Sequence, residues 1–366
     1  MIGVIGGGQL ARMMIPAAEA LGLEIRVLAE QEGSSARLAA SMVGDYRDEE
    51  TVRRFVRHVD VVTFDHEHVP TEILRRLEAD GVAVRPGAEA LVCAQDKALM
   101  RERLSELDVP LPTWVLARDT DQVVTFLQDR GGEAIAKTPR GGYDGKGVRV
   151  VTQATELADW LGAGPVLLEE KIPFRRELAQ LIARRPSGES TLFPLVETVQ
   201  RGGVCAEVIA PAPGATAATV AEAGRIARTI ADSLGVVGVL AVELFEQADG
   251  SLVVNELAMR PHNSGHVFTE AATTSQFSQH LRAVADWPLG DTTLRHPWAV
   301  MVNLFGDAGS ERVQHALASS PRVSPHAYGK EPRPGRKAGH LVVTGDDLDE
   351  VLRLARAAAV WPDSAS

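Results

Sequence analysis

Lys137-Thr138-Pro139-Arg140-Gly141-Gly142-Tyr143-Asp144-Gly145-Lys146-Gly147, with Val148-Arg149-Val150-Val151 behind it, carries more structural information than any other part of this chain. It leaves a short apolar strand, Glu133 to Lys137, and runs into a second one at Val148. Four glycines within seven residues make a loop whose backbone N–H groups can come close to an anion. Lys137 and Lys146 bracket it with positive charge, so a polyphosphate beneath the loop would meet donors and cations together. Tyr143 and Asp144, at the tip, are placed to touch a second substrate. An ordinary glycine-rich hairpin is the other reading of the same residues. A Walker loop is excluded, because no helix follows and no Gly-Lys-Ser/Thr occurs.

The remainder reads as a globular protein of two or three domains, with 366 residues of which 45% are hydrophobic. Acidic side chains outnumber basic ones, 49 to 38, which argues against a nucleic-acid surface but leaves room for a local cationic cluster. Cys93 and Cys205 lack metal-ligand spacing and read as buried thiols. No apolar run reaches the roughly 18 residues of a membrane helix, and the N-terminus reads as a strand and a glycine turn rather than a signal segment. A cytoplasmic protein without a membrane partner is the expectation.

Towards the N-terminus, Met1 to Ile5 is a strand and Gly6-Gly7-Gly8-Gln9 turns into a helix from Leu10, with a second strand at Glu24 to Leu28. The glycines miss the G-x-G-x-x-G register of a dinucleotide site, so a nicotinamide dehydrogenase is disfavoured. A helix N-terminus there can still hold a phosphate. Glu30 reads either as a ribose contact or as an exposed strand end. The strand Val59 to Asp65 leads into His66-Glu67-His68-Val69-Pro70, placing carboxylates where open α/β sheets bind ligands. Ala88 to Leu107 reads as one helix containing Asp96-Lys97, stopped by Val109-Pro110-Leu111-Pro112.

Strands around Trp114, Ala134 and Val148 predict a small sheet, with a helix from about Thr155 to Leu161. After the buried strand Val166-Leu167-Leu168 come Glu169-Glu170-Lys171-Ile172 and Glu177, a hinge whose backbone can serve a base edge. Thr219 to Leu234 is an amphipathic core helix. The strands Val239 to Phe245 and Gly250 to Leu257 form a hairpin that sets Glu243 opposite Glu256 on one face. Two like charges there call for a cation, and oxygen ligands favour magnesium. Asn255 should point to the opposite face or act through its neighbour. In Met259-Arg260-Pro261-His262-Asn263-Ser264-Gly265-His266, Arg260 can stabilise a transferring phosphoryl group while Asn263, Ser264 and His266 offer neutral hydrogen bonds to a second substrate. Phe268 to Trp287 reads as helical. The basic segment His326 to His340 suits a phosphate monoester, and Asp349 to Ala359 forms a last helix.

Four of these motifs, in this order, resemble the ATP-grasp ligases and, among them, the 5-(carboxyamino)imidazole ribonucleotide synthetases of purine biosynthesis. They are Asp-Lys followed by a helix and Pro-x-Pro; Gly-Gly-Tyr-Asp-Gly-Lys-Gly; Asn-Glu-Leu-Ala-x-Arg-Pro-His-Asn-Ser-Gly-His; and Tyr-x-Lys-Glu leading to Arg-Pro-Gly-Arg-Lys-x-Gly-His. The resemblance implies an α/β (α+β) ATP-grasp fold. A Rossmann-like pre-ATP-grasp domain would span 1–87, the ATP-grasp domain 88–292 and a small β-rich C-terminal domain 293–366. It implies ATP and Mg2+ as cofactors, 5-aminoimidazole ribonucleotide and bicarbonate as substrates, and a homodimer.

By the same resemblance Lys97, Lys137 and the loop from Gly142 through Tyr143, Asp144, Gly145, Lys146 and Gly147 to Val148 contact the nucleotide. Glu169, the backbone of Glu170, Lys171 and Ile172, Glu177, Gln200 (often histidine in relatives), Asn255 and Glu256 complete that site. The ribonucleotide would lie against Gly8, Gln9, Glu67, Tyr143, Asp144, Asn263 and Ser264, with its phosphate on Lys330 and Arg336. Glu243 and Glu256 would hold the metal. Arg260 and Lys146 would act on the transferring phosphoryl group, and Asp144 would accept a proton, under a loop that closes as a lid. Two departures stand out: Cys93, where relatives often carry an arginine four residues before the lysine, and Asp65 in place of a glutamate. The alternatives are a formate-using glycinamide ribonucleotide transformylase and a nucleotide-binding module without catalysis.

Overall fold

The computed structural model describes residues 1–142 and 147–360. The chain opens on β1 (Ile2–Ile5), α1 (Gln9–Leu21), β2 (Ile25–Ala29), β3 (Ala40–Val43), α2 (Glu49–Val56), β4 (Val61–Phe64), α3 (Thr71–Ala79) and β5 (Ala83–Val84). Every residue of β1 and β4 is buried, as a parallel sheet covered on both faces requires. The strands pair in parallel in the order β3-β2-β1-β4-β5. Chain order therefore reverses at β1 and β4, and the crevice beyond their C-terminal ends is where such sheets take ligands. Gly6 to Gln9 and Asp65 to Glu67 both open onto it.

Two short helices follow, α4 (Ala88–Gln95) and α5 (Lys97–Ser105), where the apolar pattern predicts one. Asp96 between them is extended, bridged to Arg140, and its side chain accepts from Ala98 N and Leu99 N at 3.1 Å each. The aspartate thus starts a second helix instead of continuing the first. Cys93, a residue of α4, is buried in the core.

A four-stranded sheet comes next, built from β6 (Trp114–Ala117), α6 (Thr120–Asp129), β7 (Ala134–Lys137), β8 (Val148–Val151), α7 (Ala158–Ala163) and β9 (Val166–Glu169) in the strand order β6-β9-β7-β8. The helix expected over Thr155 to Leu161 divides into a 3-10 turn at Ala154–Leu157 and α7, with the side chain of Glu156 accepting from the Gln153 N–H at the turn. The large sheet takes β10 (Phe174–Arg184), β11 (Ser190–Leu192), β12 (Val196–Arg201), β13 (Val204–Ala210), β14 (Gly238–Gln247) and β15 (Leu252–Ala258), with α8 (Ala217–Ser233) on one face. After α9 (Phe268–Ala271) and α10 (Gln276–Val284) it is extended by β16 (Trp298–Gly306), β17 (Val323–Ala327) and β18 (Arg333–Gly345), with α11 (Ser310–Ser319) and α12 (Leu348–Ala359) against them. All pairs are antiparallel, ordered β15-β14-β10-β12-β13-β16-β18-β17, with β11 beside β10. The C-terminal strands continue the middle region's sheet through β13 and β16. The helix expected over Phe268 to Trp287 is likewise broken, because Ala272 bridges to Leu294 and Ser275 caps α10.

One apolar cluster runs from Ile5, Phe55 and Phe64 through Leu91 and Met100 to Ile226, Leu240 and Leu257, joining the first sheet to the large one. His280 adds a polar tie, accepting from Val239 N at 3.0 Å and meeting Thr63 Oγ1 at 2.8 Å. No helix among the described residues is long and apolar enough to cross a membrane.

Candidate active site

A cavity of about 1030 Å³ lies where the three sheets meet. Its floor is the β14–β15 hairpin, in which Glu243 pairs directly with Glu256. The register shifts just beyond, Leu244 facing Val254, so Asn255 is an extra, bulged residue. That bulge corrects the expectation from strict alternation: Asn255 lines the same cavity as Glu256, and its Oδ1 accepts from Lys137 Nζ at 3.2 Å. Burial first, then Glu256 and Glu177, push the Glu243 carboxyl up to about 8. A site that resists ionising one of two opposed carboxylates fits a divalent cation. Among the described residues no group of three or more His, Cys, Asp or Glu could hold a metal. Two carboxylates suit magnesium, which keeps waters and substrate phosphate oxygens as its other ligands.

Above the hairpin, α5 presents two cations one turn apart. Lys97 lies 3.3 Å from Glu256 Oε1 and donates to Gly141 O at 3.4 Å. Arg101 has no exposed surface; it donates to Glu169 Oε1 (2.7 Å) and to the carbonyls of Val254 (3.2 Å) and Asn255 (2.7 Å). The other Glu169 oxygen takes Lys137 at 2.7 Å. Burial raises the Glu169 carboxyl, but Arg101 and Lys137 outweigh it and hold it below its ordinary range. Sequence reasoning passed over Arg101, whose one signal is its helical spacing from Lys97.

Pro139 O accepts from Lys97 N at 2.8 Å and Arg140 pairs with Asp96 at 2.9 Å, so α5 anchors the root of the glycine-rich loop. Gly141, Gly142 and Val148 line the cavity, while Gly147 closes the neck by accepting from Thr138 N at 3.0 Å. Tyr143, Asp144, Gly145 and Lys146 lie outside the described residues. Along the hinge, Glu170, Lys171 and Ile172 line the wall, with Lys171 drawn to Glu133 at 2.8 Å. Phe174 stacks on Phe245 with ring centroids 4.5 Å apart, and with Ile135, Val148 and Val150 supplies apolar surface for a planar base. Burial raises the Glu177 carboxyl, which accepts from Gln200 at 3.0 Å.

The far end is formed by the first sheet and the basic segment. Asp65 accepts from Gly8 N at 3.0 Å and Ala11 N at 2.7 Å, so the departure from glutamate leaves a residue that holds the α1 turn. Glu30, just after β2, accepts from Gly7 N and pairs with His66 Nε2, each at 3.0 Å. Against the upward push of burial, these bonds bring it down to about 2. Gly8 itself is set back from the cavity surface, whereas Gln9 lines it and accepts from Lys330 at 2.6 Å. Glu67 receives Arg260 Nε at 2.7 Å. Arg336 lines the cavity beside Lys337, which the sequence reading left unassigned although its charge acts on Glu243, His262 and His266.

Ser264 is buried and set back from the cavity wall, and its hydroxyl meets His262 Nδ1 at 2.8 Å, while His262 Nε2 lies 3.3 Å from Glu243. Asn263 does line the cavity, with its Nδ2 buried and unpartnered among the described residues. His266 is on the wall too, stacked on His340 at 4.7 Å and held by Gln276 at 2.9 Å; burial foremost brings it down to about 3, so it is neutral.

Comparison with known proteins gives a consistent set of likenesses. Three family descriptions match in sequence: the ribonucleotide synthetase preATP-grasp domain over residues 1–95, the ATP-grasp domain over 102–277, and the phosphoribosylaminoimidazole carboxylase C-terminal domain over 299–354. N5-carboxyaminoimidazole ribonucleotide synthase of Mycobacterium tuberculosis is 47% identical, covering 99% of this chain and 87% of its own. The crystal structure of N5-carboxyaminoimidazole ribonucleotide synthetase from Thermus thermophilus superimposes with a TM-score of 0.90 at 38% identity over 99% of both chains. The Aspergillus clavatus N5-carboxyaminoimidazole synthase, in complex with ADP and 5-aminoimidazole ribonucleotide, does so with 0.88 at 29% identity over 98% of this chain and 96% of its own.

Proposed function

The chain belongs to the N5-carboxyaminoimidazole ribonucleotide synthases of the ATP-grasp ligases, and on that footing we propose how its residues perform the family reaction. The reaction joins bicarbonate to the exocyclic amine of 5-aminoimidazole ribonucleotide at the expense of ATP, within purine biosynthesis. Carrying the proposal is one observation: a single cavity has the Glu243–Glu256 pair as its floor, the glycine-rich loop's root and Lys137 on one side, and Gln9, Glu67, Lys330 and Arg336 on the other.

Bicarbonate is a poor electrophile, so one of its oxygens first attacks the γ-phosphorus of ATP, releasing ADP and forming carboxyphosphate. Lys137, Lys146 and Arg260 take up the charge that grows on the phosphoryl oxygens. Glu243 and Glu256 would hold magnesium, which when bound adds charge neutralisation at the same group. The amine then attacks the carboxyl carbon, or carbon dioxide released from it, and phosphate leaves. Glu67 and Tyr143 orient the amine, Asp144 accepts its proton, and Lys330 and Arg336 hold the ribonucleotide phosphate. Phe174, Phe245 and the Glu170 to Ile172 backbone receive the adenine, and Glu177 its ribose.

The proposal includes a homodimer, a cytoplasmic location, and domains spanning 1–87, 88–292 and 293–366. The test is ADP release with magnesium, ATP and bicarbonate, comparing 5-aminoimidazole ribonucleotide with formate plus glycinamide ribonucleotide. Turnover should require the aminoimidazole. Turnover with the other pair would discard the acceptor site, and no turnover with either would indicate a non-catalytic nucleotide module. Near-normal turnover of Asp144→Asn would remove the proton-acceptor role.

A further inference from the structure

Glu169 stands at the hinge on the cavity wall, yet the residue is only 3% exposed and both carboxylate oxygens are engaged, one by Arg101 Nε and one by Lys137 Nζ, each at 2.7 Å. A carboxylate occupied on both sides by cations has little capacity left for a base or a ribose. Its effect falls on Lys137. An ammonium has three donors; Glu169 takes one and Asn255 Oδ1 takes a second at 3.2 Å, so the third is directed into the cavity. A lysine stem that would otherwise sample many rotamers is thereby aimed.

Arg101 stands behind this arrangement. Its guanidinium spends Nε on Glu169, one terminal nitrogen on Val254 O and the other on Asn255 O. One planar group thus ties α5 to the end of β9 and to the bulge that sets Asn255 beside Glu256. A lysine could not reproduce three divergent bonds in one plane. A buried ion pair is weak ground for a stability role, because desolvation offsets the attraction. We infer that Arg101 is a positioning residue: through Glu169 and the Asn255 bulge it aims Lys137 at the phosphate end of the nucleotide. This rests on the proposed nucleotide site.

The experiment is calorimetric binding of ADP and of adenosine to the full chain, with thermal melting alongside, for wild type, Arg101→Met, Arg101→Lys, Glu169→Gln and the double variant Arg101→Met/Glu169→Gln. Arg101→Met should weaken ADP by about tenfold or more, as loss of a supporting partner does elsewhere, while adenosine, which lacks phosphates, binds as before. Glu169→Gln should reproduce this, and the double variant should lose less than the product of the two single losses because both act through one lysine. Arg101→Lys should fall short of wild type. Unchanged ADP affinity, or equal losses for ADP and adenosine, would overturn the inference. If Arg101→Met does not fold, the ratio of the ADP and adenosine losses in Glu169→Gln and Arg101→Lys decides it by the same criterion. Wild-type protein that binds no ADP would overturn the nucleotide site itself, which the variants alone would not.

Discussion

Glu243 is asked to do two incompatible things. Burial and the facing Glu256 push its carboxyl up to about 8, so the apoprotein resists the ionised form that a cation needs. The sign follows from linkage: the folded state keeps a proton that the unfolded chain has lost above its ordinary 4.5, so this group's contribution to stability is full below that value and lost as pH rises through about 8. Glu243→Gln is therefore expected to melt at or above the wild-type temperature at pH 8.5 in chelator, with a smaller difference at pH 5. ADP release should fall about a hundredfold or more, the cost of removing a charge-stabilising group. Melting curves and a coupled ADP assay measure both. Lys330 answers a simpler question. It is held by Gln9 and the Lys337 carbonyl, both near the far end of the cavity. Lys330→Ala should raise KM for the ribonucleotide and leave ADP affinity unchanged; a drop in ADP affinity would move Lys330 out of the phosphate-monoester role.

Among the elements, the α4–α5 junction depends on one aspartate. Asp96 Oδ1 caps α5 while Oδ2 pairs with Arg140, a largely exposed guanidinium. A lost cap costs about 1 kcal/mol, whereas an exposed ion pair contributes ~0–1 kcal/mol, so the cap dominates. Asp96→Asn, which preserves a capping oxygen, should stay close to wild type in chemical denaturation, and Asp96→Ala should lose about 1 kcal/mol. Equal losses in both variants would give the weight to the ion pair. This junction also shows where sequence periodicity misleads. Leu91 and Leu99 are eight residues apart, in phase for one helix, so the pattern continues through a break made by Asp96 bridging to a distant Arg140. The same holds before α10, where Ser275 is a cap hidden inside an apolar run. The β14–β15 hairpin was legible to the level of its facing glutamates, because alternation and a short turn fix which residues oppose. Its bulge was not, since one extra residue leaves no mark on composition.

For the whole molecule, buried neutral histidines tie the regions together. His280 joins β4 to β14 and has no exposed surface, and burial brings it down to about 3. His266, in the cavity wall, is also at about 3. A histidine whose folded value is depressed costs stability as pH falls, because below about 6.5 the unfolded chain takes up a proton that the folded chain refuses. Each such group adds up to ~1.4 kcal/mol of destabilisation per pH unit between its two values. The protein should therefore lose stability steeply from pH 6.5 towards 4, and His280→Gln should flatten that slope while lowering stability at pH 8. A denaturant series across pH measures this; an unchanged slope in the variant would show that His280 is not a source of the acid sensitivity.

Sequence alone established the opening strand–helix–strand unit, the opposed acidic pair and the basic segment, because these follow from local periodicity, glycine turns and charge spacing, while the domain plan and the hinge came from the family resemblance. Tertiary structure alone decided what the buried charges do. Arg101 carried no assignment in the sequence, while Glu169 was expected as a nucleotide contact and Ser264 as a donor to substrate. The structure supplies their partners, from β7, β9, β15 and the His262 turn. The physical reason is that a charge or hydroxyl removed from water takes its function from whichever group satisfies it, and those groups lie up to 154 positions away along the chain.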